Sequence, residues 1–346
     1  MDHLQFQIGN KTIGNGAPCL IQSMGDKKTT CVKEMVEETN ELASCGLDMM
    51  RFSVLDQADI LALKEIKRQV SIPIIADIHF DYRFALGAIE AGADKIRINP
   101  GNIGGDSKLR IVIEACKKKN IPMRIGVNSG SLNKYHGKTS SKADDILLAL
   151  DETIEVFQEE NFDHIVLSLK SSNPDDLKEV YEKAYAKYPY PLHIGLTESG
   201  FSTLGTIKSA IGLYPLLKEG IGDTLRVSLA DDRIEELRAA KTLLRLAGRR
   251  NDIPDLIVCP TCGRTQVDVK PISREVLSHL DHVFKPVKVA IMGCPVNGIG
   301  EAKDATFGLA GSGKKDLYVL FTHGKEIGLY PKKEALEKLY ALIDAF

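Results

Sequence analysis

The chain has 346 residues, with 45 Lys and Arg against 47 Asp and Glu, and so a formal charge of −2. That balance excludes global attraction to nucleic acid or an anionic membrane, and 43% hydrophobic with 27% charged residues describes an ordinary folded protein, long enough for one large and one smaller domain. No apolar run reaches the roughly 18 residues a membrane helix needs, and Met1-Asp-His-Leu-Gln-Phe-Gln has no basic leader, so a cytoplasmic protein is expected.

The glycine-rich stretch 2–18 precedes the first strand and reads as a small hairpin over the lower mouth of a barrel. Short apolar runs then recur at 20–24, 49–54, 74–79, 95–99, 123–128, 164–170, 192–198 and 224–229, each succeeded by a helix-like stretch. Eight strands alternating with helices predict a parallel sheet, and eight is the number that closes into a (β/α)8 TIM barrel; a doubly wound open sheet is the alternative. The stretch from Val32 is amphipathic and stops at Cys45-Gly46. Lys117, Lys118 and Lys119 end a helix, where cations suit the dipole, and form a solvated face. A helix over 231–247 comes after the eighth strand, and Gly248-Arg-Arg-Asn-Asp-Ile-Pro254 breaks the pattern. The expected domains are therefore 1–250, the barrel, and 251–346, a small α+β domain with a strand at 317–321 and a helix at 332–345.

Side chains alternate faces along a strand. In Met49-Met-Arg51-Phe-Ser53-Val, Met50, Phe52 and Val54 share the outward face and Arg51 and Ser53 the inward one. The same split places Arg97, Arg124 and Arg226 inward, with Lys170 ending the sixth strand. Barrel enzymes keep their chemistry at the C-terminal strand ends. Uncompensated buried charges cost several kcal/mol each, so a strongly anionic ligand is expected among these cations. Charge-assisted bonds contribute roughly 1.5–3 kcal/mol each, and guanidinium matches phosphate, so a diphosphate or bisphosphate is implied. The bland reading pairs each arginine with an acidic neighbour. Asp77, His79 and Glu198 are the acid/base candidates, although the parity of the seventh strand is ambiguous.

Seven cysteines are an odd number; Cys19, Cys31, Cys45 and Cys116 are scattered and read as buried thiols in a reducing compartment. Cys259-Pro-Thr-Cys262 and Gly293-Cys294-Pro-Val-Asn297-Gly298-Ile-Gly300-Glu301 differ, since three thiols and a carboxylate among glycines make four potential ligands for one centre. A redox iron–sulfur cluster is the leading expectation. Zinc on the three cysteines with His279 or His282 is the alternative, although the spacings, 16 residues between Cys262 and His279 and two between the histidines, do not fit a finger. Gly308-Leu-Ala-Gly-Ser-Gly313-Lys314-Lys315 imitates a phosphate loop, but it lacks the terminal Ser or Thr and precedes a strand, so a glycine-rich hairpin is expected.

Together with Ile98-Asn-Pro-Gly-Asn-Ile-Gly104 and Arg124-Ile-Gly-Val-Asn128-Ser-Gly-Ser-Leu132, these motifs resemble the 4-hydroxy-3-methylbut-2-enyl diphosphate synthase family, iron–sulfur enzymes of the non-mevalonate (MEP) isoprenoid pathway. The likeness runs from about Ile21 to Lys325 and is of the compact bacterial type. It implies reductive ring opening and dehydroxylation of 2-C-methyl-D-erythritol 2,4-cyclodiphosphate to (E)-4-hydroxy-3-methylbut-2-enyl diphosphate. It further implies one 4Fe-4S cluster per chain on Cys259, Cys262, Cys294 and Glu301, with diphosphate contacts from Arg51, Arg97, Arg124, Asn128, Lys170, Arg226 and Ser228. Glu198 matches the acid/base carboxylate and Asn297 a residue approaching substrate from the cluster side. Two departures stand out: Ser23-Met24-Gly25-Asp26-Lys27 replaces the usual Ser-Met-Thr-Asn-Thr, and Gly298-Ile299-Gly300-Glu301 replaces Gly-Pro-Gly-Glu. The electron donor is expected to be ferredoxin or flavodoxin. The competing function, from another class, is a non-redox phosphate-binding barrel lyase or transferase with a structural zinc domain.

The eighth helix returns the chain to the barrel's lower end, whereas the arginines lie at the upper end. Cys259 comes 11 residues after Gly248, a reach of at most about 40 Å. A head-to-tail homodimer, each cluster over the partner's barrel, is the expected solution, and the resemblance implies it too.

Overall fold

A hairpin precedes the main sheet: β1 (Gln5–Ile8) pairs antiparallel with β2 (Lys11–Gly14). This computed structural model describes residues 3–128, 139, 141–295, 300, 302–314 and 316–346, with backbone alone at 127, 128 and 142. The chain divides into two units, Met1–Arg250 and Asn251–Phe346.

In the first unit strands and helices alternate: β3 (Leu20–Met24), α1 (Val32–Ser44), β4 (Met49–Val54), α2 (Gln57–Lys67), β5 (Ile74–Ile78), α3 (Tyr82–Ala91), β6 (Lys95–Ile98) and α4 (Asp106–Lys119). The second half runs β7 (Met123–Asn128), α5 (Lys142–Glu159), β8 (Ile165–Lys170), α6 (Pro174–Lys187), β9 (His193–Ile194), α7 (Ser202–Lys218), β10 (Thr224–Leu225) and α8 (Arg233–Leu246). The strands are parallel in the order β8-β7-β6-β5-β4-β3-β10-β9. A bridge between Leu167 and Leu192, with the Leu167 N–H donating to the Pro191 carbonyl at 2.9 Å, brings the two ends of the sheet together. The result is the expected eight-stranded barrel.

Local chemistry sets the helix ends. The side chains of Asp56, Asp81, Ser141 and Asn173 accept the first orphan N–H groups of α2, α3, α5 and α6. α3 stops at Gly92 and α4 at Asn120, both left-handed. Lys118 and Lys119, in the last turn of α4, pair with Glu114 and Glu90 on the surface, as expected of a solvated face.

β9 and β10 are two residues each, shorter than the expected 192–198 and 224–229. Beyond them the backbone bonds to loops: the Thr197 N–H donates to Ser171 O and the Ala230 N–H to Gly200 O. The apolar residues that looked like strand continuation instead build the rim.

The inward face is layered. At the strand starts it is apolar, where Leu20, Met49, Ile75 and Val166 pack with Phe6, Ile8 and Ile13 of the hairpin, which covers the lower mouth as expected. Inward cations adjoin this layer: Ile75 pairs in register with Arg51 and Lys95, and Val166 with Arg124. Outside it, Asp48 bonds three elements: its carboxylate accepts from the Ile21 N–H at 2.9 Å, Lys11 Nζ at 3.0 Å and Arg250 Nη1 at 3.0 Å. Hairpin, first strand and the end of the unit thus meet on one nearly buried carboxylate.

The second unit is α+β: β11 (Asp255–Val258), α9 (Val269–Leu280), β12 (Lys288–Met292), β13 (Phe307–Gly311), β14 (Leu317–Thr322), β15 (Lys325–Pro331) and α10 (Lys332–Ala345). The sheet order is β11-β12-β13-β14-β15, with parallel pairing among the first three strands and antiparallel pairing after β13. α9 and α10 bury Val276, Leu280, Leu336 and Leu339 against Val289, Ile291 and Leu309. The phosphate-loop imitation is the β13–β14 hairpin.

Replacing Asp48 with alanine removes the acceptor that Lys11, the Ile21 N–H and Arg250 share. Asp48→Ala should destabilise the barrel by about 3 kcal/mol, read by urea unfolding, with Asp48→Asn retaining part of the loss. Wild-type stability in D48A would remove Asp48 from this role.

Candidate functional site

The cationic residues singled out above converge at the barrel's upper half. Register carries Ser53 to Asp77, Asp77 to Arg97 and Arg97 to Arg124, placing those side chains at one level. Gly126 leaves room beside them, because a Cβ there would lie 3.3 Å from Arg97 Nη2. Arg51, Lys170, Arg226 and Ser228 line one pocket with Ser168, His193, Gly195, Leu196 and Thr197. Asn128 ends β7 level with Lys170. Asn297 and Glu301 lie outside the described residues.

The sequence alone leaves these cations without counter-ions; the structure supplies two carboxylates. Asp77 is 2% exposed, accepts from Arg97 Nη1 at 2.8 Å and lies 3.5 Å from both Arg51 Nε and His79 Nε2. Burial alone would raise its carboxyl pKa, but the His79 ring and then Arg51, Arg97 and Arg124 outweigh that and hold it far below the usual range. Asp77 thus serves Arg51 and Arg97 as a counter-ion, a role the sequence alone did not give it. Glu236, which sequence reasoning missed, accepts from Arg226 Nη2 at 3.4 Å. Arg124 is fully buried, and among the described residues none of its three guanidinium nitrogens finds a hydrogen-bond partner.

This crowding shifts the buried cations. Burial, then Arg97, Arg124 and Arg51, pushes the Lys170 ammonium down to about 7. Burial, then Arg124 and Arg51, pushes Lys95 well below the lysine range; it is wholly enclosed, with Gln22 Oε1 3.5 Å away. His193 is also depressed, by burial and then Arg124 and Lys95, and is a neutral imidazole whose Nδ1 bonds Thr224 Oγ1 at 2.8 Å. His193 in the pocket lining and Lys95 enclosed near the arginines are buried polar groups that sequence reasoning did not single out, although polar residues at inward positions were a signal for both.

Glu198 is exposed on the loop after β9, with φ +58°, left-handed and unusual for a non-glycine residue. The loop is fixed on both sides, by Thr197 to Ser171 after β8 and by Gly200 to Ala230 after β10. The carboxylate-bearing residue is therefore held at the rim between the Lys170 and Ser228 ends.

In the second unit, Cys259 comes directly after β11 and Cys294 lies two residues past β12. These strands are parallel neighbours, and the Cys259 N–H donates to Ile291 O at 2.9 Å, so both cysteines emerge at the same edge. Thr261 takes a left-handed φ of +68°, and the Cys262 N–H donates to Thr265 Oγ1 at 3.0 Å. The Gln266 N–H then donates to Gly293 O at 2.8 Å, returning the turn to the Cys294 segment. Gly311 permits this crossing, since a Cβ there would meet Gly293 O at 2.6 Å. Cys294 is buried, Cys259 half-buried and Cys262 exposed, and none of the seven cysteines is in a disulfide. Cys19, Cys45 and Cys116 are buried as expected, while Cys31 is only half-buried.

Among the described residues no group of three His, Cys, Asp or Glu is already gathered as a metal site. The donor chemistry nevertheless fits an iron–sulfur group: thiols at the ends of adjacent parallel strands, joined by a glycine-lined turn. His279 does not fit as a zinc ligand, because its Nε2 is 2.9 Å from Asp344 and its ring stacks on Tyr340.

Comparison with known proteins agrees. The GcpE TIM-barrel domain matches residues 4–241 and the GcpE protein C-terminal domain residues 255–345. A 4-hydroxy-3-methylbut-2-en-1-yl diphosphate synthase (flavodoxin) of Caldanaerobacter subterraneus subsp. tengcongensis is 45% identical over 98% of this chain and 96% of its own. The protein of that name from Clostridium perfringens is 45% identical over 98% and 97%, and that from Bacillus subtilis 43% over 98% and 90%. Among solved structures, dihydropteroate synthase of Yersinia pestis superposes with a TM-score of 0.51 at 11% identity, covering 71% of this chain and all of that one. Type I 3-dehydroquinate dehydratase of Clostridium difficile gives 0.51 at 18%, covering 71% and 98%. Those two show the barrel alone and lend no support to a non-redox transferase or lyase. With both domains matched in order and near-full-length relatives at 43–45% identity, the chain belongs to the GcpE family.

Proposed function

We propose that this chain catalyses the reductive ring opening and dehydroxylation of 2-C-methyl-D-erythritol 2,4-cyclodiphosphate to (E)-4-hydroxy-3-methylbut-2-enyl diphosphate, an oxidoreductase step of the MEP isoprenoid pathway. The observation that carries this beyond family membership is the cationic barrel mouth, where Arg124 is fully buried without a partner among the described residues. Such a group needs an anion, and a diphosphate supplies one with several acceptors.

In this reading Arg51, Arg97, Arg124, Lys170 and Arg226, with Asn128 and Ser228, hold the diphosphate, and Asp77 keeps Arg51 and Arg97 aimed at it. Opening the ring and expelling a hydroxyl as water consumes two electrons and, counted on the free acids, two protons. Glu198, at the rim, is the group that moves a proton to the departing hydroxyl. Its left-handed backbone marks a turn of the loop at this exposed residue. Cys259, Cys262, Cys294 and Glu301 would hold one 4Fe-4S cluster per chain, with Asn297 facing the substrate from that side. When bound, the cluster supplies the electrons one at a time. Flavodoxin, part of the relatives' names, is the expected donor, with ferredoxin the other candidate.

A head-to-tail homodimer completes the site in this proposal. Arg250, the last residue of the first unit, bonds Asp48 beside the hairpin at the lower end, whereas the arginine mouth opens at the upper end. In this proposal each cluster domain serves the barrel mouth of the partner chain.

The primary test is anaerobic purification, then iron and sulfide analysis and turnover of the cyclic diphosphate with reduced flavodoxin. Iron with acid-labile sulfide and formation of the linear diphosphate are expected; colourless protein holding zinc would overturn the reading.

Glu198→Gln should lower kcat at least about 100-fold with KM little changed, because proton transfer belongs to the transition state. Mixed with Cys294→Ser chains, it should regain part of the activity in heterodimers. Unchanged turnover in E198Q would remove Glu198 from the chemistry, and no recovery in verified heterodimers would place the site within one chain.

Lys170 gives a pH signature. Its ammonium, depressed to about 7 from an ordinary 10.5, regains a favourable environment when an anion arrives. Binding then takes up protons above pH 7, so affinity should fall as pH rises from 7 to 9, by up to about tenfold per unit. The cyclic diphosphate's two diester phosphates have no proton to lose there, so the slope reports the protein. Calorimetry in buffers of different ionisation enthalpy should show the uptake, and Lys170→Met should flatten it.

A further inference from the structure

Glu236 is the second carboxylate of the barrel mouth, and its position is unusual for a residue on a helix. It lies in the first turn of α8, yet is 3% exposed. One oxygen, Oε1, accepts from three donors: Arg226 Nη2 at 3.4 Å, the Leu229 N–H at 2.9 Å and Arg233 Nη1 at 2.7 Å. The other, Oε2, is 3.3 Å from Ser23 Oγ at the end of β3. A single side chain from the eighth helix therefore fixes the upper ends of the first and eighth strands and the segment that carries Ser228.

That segment needs fixing because β10 ends at Leu225. One more bond, from the Arg226 N–H to Ile194 O at 3.1 Å, continues the ladder, and beyond it the chain has left the sheet. Arg226 and Ser228, both in the pocket lining, are on this unsupported stretch. The Leu229 N–H, which would otherwise be a buried donor without a partner, is satisfied by Glu236. At the Arg226 guanidinium, the same oxygen limits the directions the remaining N–H groups can face.

We propose that Glu236 is a positioning residue for the diphosphate site, acting through Arg226 and through the backbone that presents Ser228. This rests on the diphosphate reading above. Two effects of Glu236 on a bound anion oppose each other: its charge repels the anion, and its bonds orient the groups that bind it. A glutamine keeps acceptor Oε1 and removes the charge; an alanine removes both. Orientation being dominant, the two substitutions should behave differently.

The experiment measures inorganic pyrophosphate affinity by calorimetry, and KM and kcat for the cyclic diphosphate, on anaerobically purified holoenzyme. Glu236→Ala should weaken pyrophosphate binding about tenfold and raise KM by a similar factor, with kcat changed less than about threefold. Glu236→Gln should restore both to within about twofold of wild type. In Glu236→Ala/Arg226→Ala the loss should fall short of the sum of the two single losses, because the part of the Glu236 effect that runs through Arg226 is then counted once. If E236A does not fold, Glu236→Asp, which withdraws the carboxylate by one methylene, should weaken pyrophosphate about threefold. A folded E236A with wild-type affinity and KM, or additive losses in the double variant, overturns the proposal. Pyrophosphate binding separates it from the reaction reading: a wild-type enzyme that binds pyrophosphate but does not turn over the cyclic diphosphate would sink the reaction and leave the positioning role standing.

Discussion

The barrel interior carries more buried positive charge than its own carboxylates neutralise, and the architecture of the first unit comes from managing that excess. Arg51, Lys95, Arg124 and Arg226 share one enclosure with Arg97, and burial penalises the charged forms of the first four. Asp77 serves Arg51 and Arg97, Glu236 serves Arg226, and Arg124 has neither. Enclosing so many cations is electrostatically costly, and binding an anion relieves the cost. Part of the stability that a fully compensated interior would have is thereby transferred to ligand affinity.

The lower half of the barrel makes that tolerable. Beside the cations Leu20, Met49, Ile75 and Val166 form an apolar cluster with the hairpin residues Phe6, Ile8 and Ile13. This apolar layer closes the lower mouth, so the charged groups face only the upper opening. Asp48 clips hairpin, first strand and unit terminus together outside the plug. Apolar packing at the hairpin end closes one mouth of the barrel and leaves the other for ligand.

The second unit repeats the same geometric device on a smaller sheet. Parallel neighbours β11 and β12 end at one edge, and their chain ends carry Cys259 and Cys294, just as the barrel strands deliver arginines to one rim. Antiparallel β14 and β15 complete the sheet, and α9 and α10 pack on it, so the thiol-bearing edge is built on a rigid base. Gly311 lets its backbone cross that of Gly293 at a distance too short for an added side chain, and Gly293 leaves room for the Thr265 side chain.

Much of this was written in the sequence. Period-two alternation put Arg51, Arg97 and Arg124 on the inward face, because a strand's pleat obeys a local rule that needs no neighbour. The Cys-x-x-Cys turn with a distant glycine-flanked cysteine and carboxylate also stood out, since ligand chemistry is carried by residue type and spacing. Tertiary structure alone decided what those groups meet. Glu236 on α8 reads as an ordinary solvated helix carboxylate, and becomes a buried acceptor only because the helix start folds over the rim against Ser23 and Leu229. Asp77 stood out as an acid/base candidate, and its pairing with Arg51 and Arg97 came only from the neighbouring strands. The extent of β9 and β10 was likewise undecidable locally, because whether an apolar run stays in the ladder depends on which backbone groups the adjacent loops offer. Sequence determines the direction and chemistry of each side chain; the charge state and partners of a buried group come from residues far away in the chain, and only closure of the barrel brings them within reach.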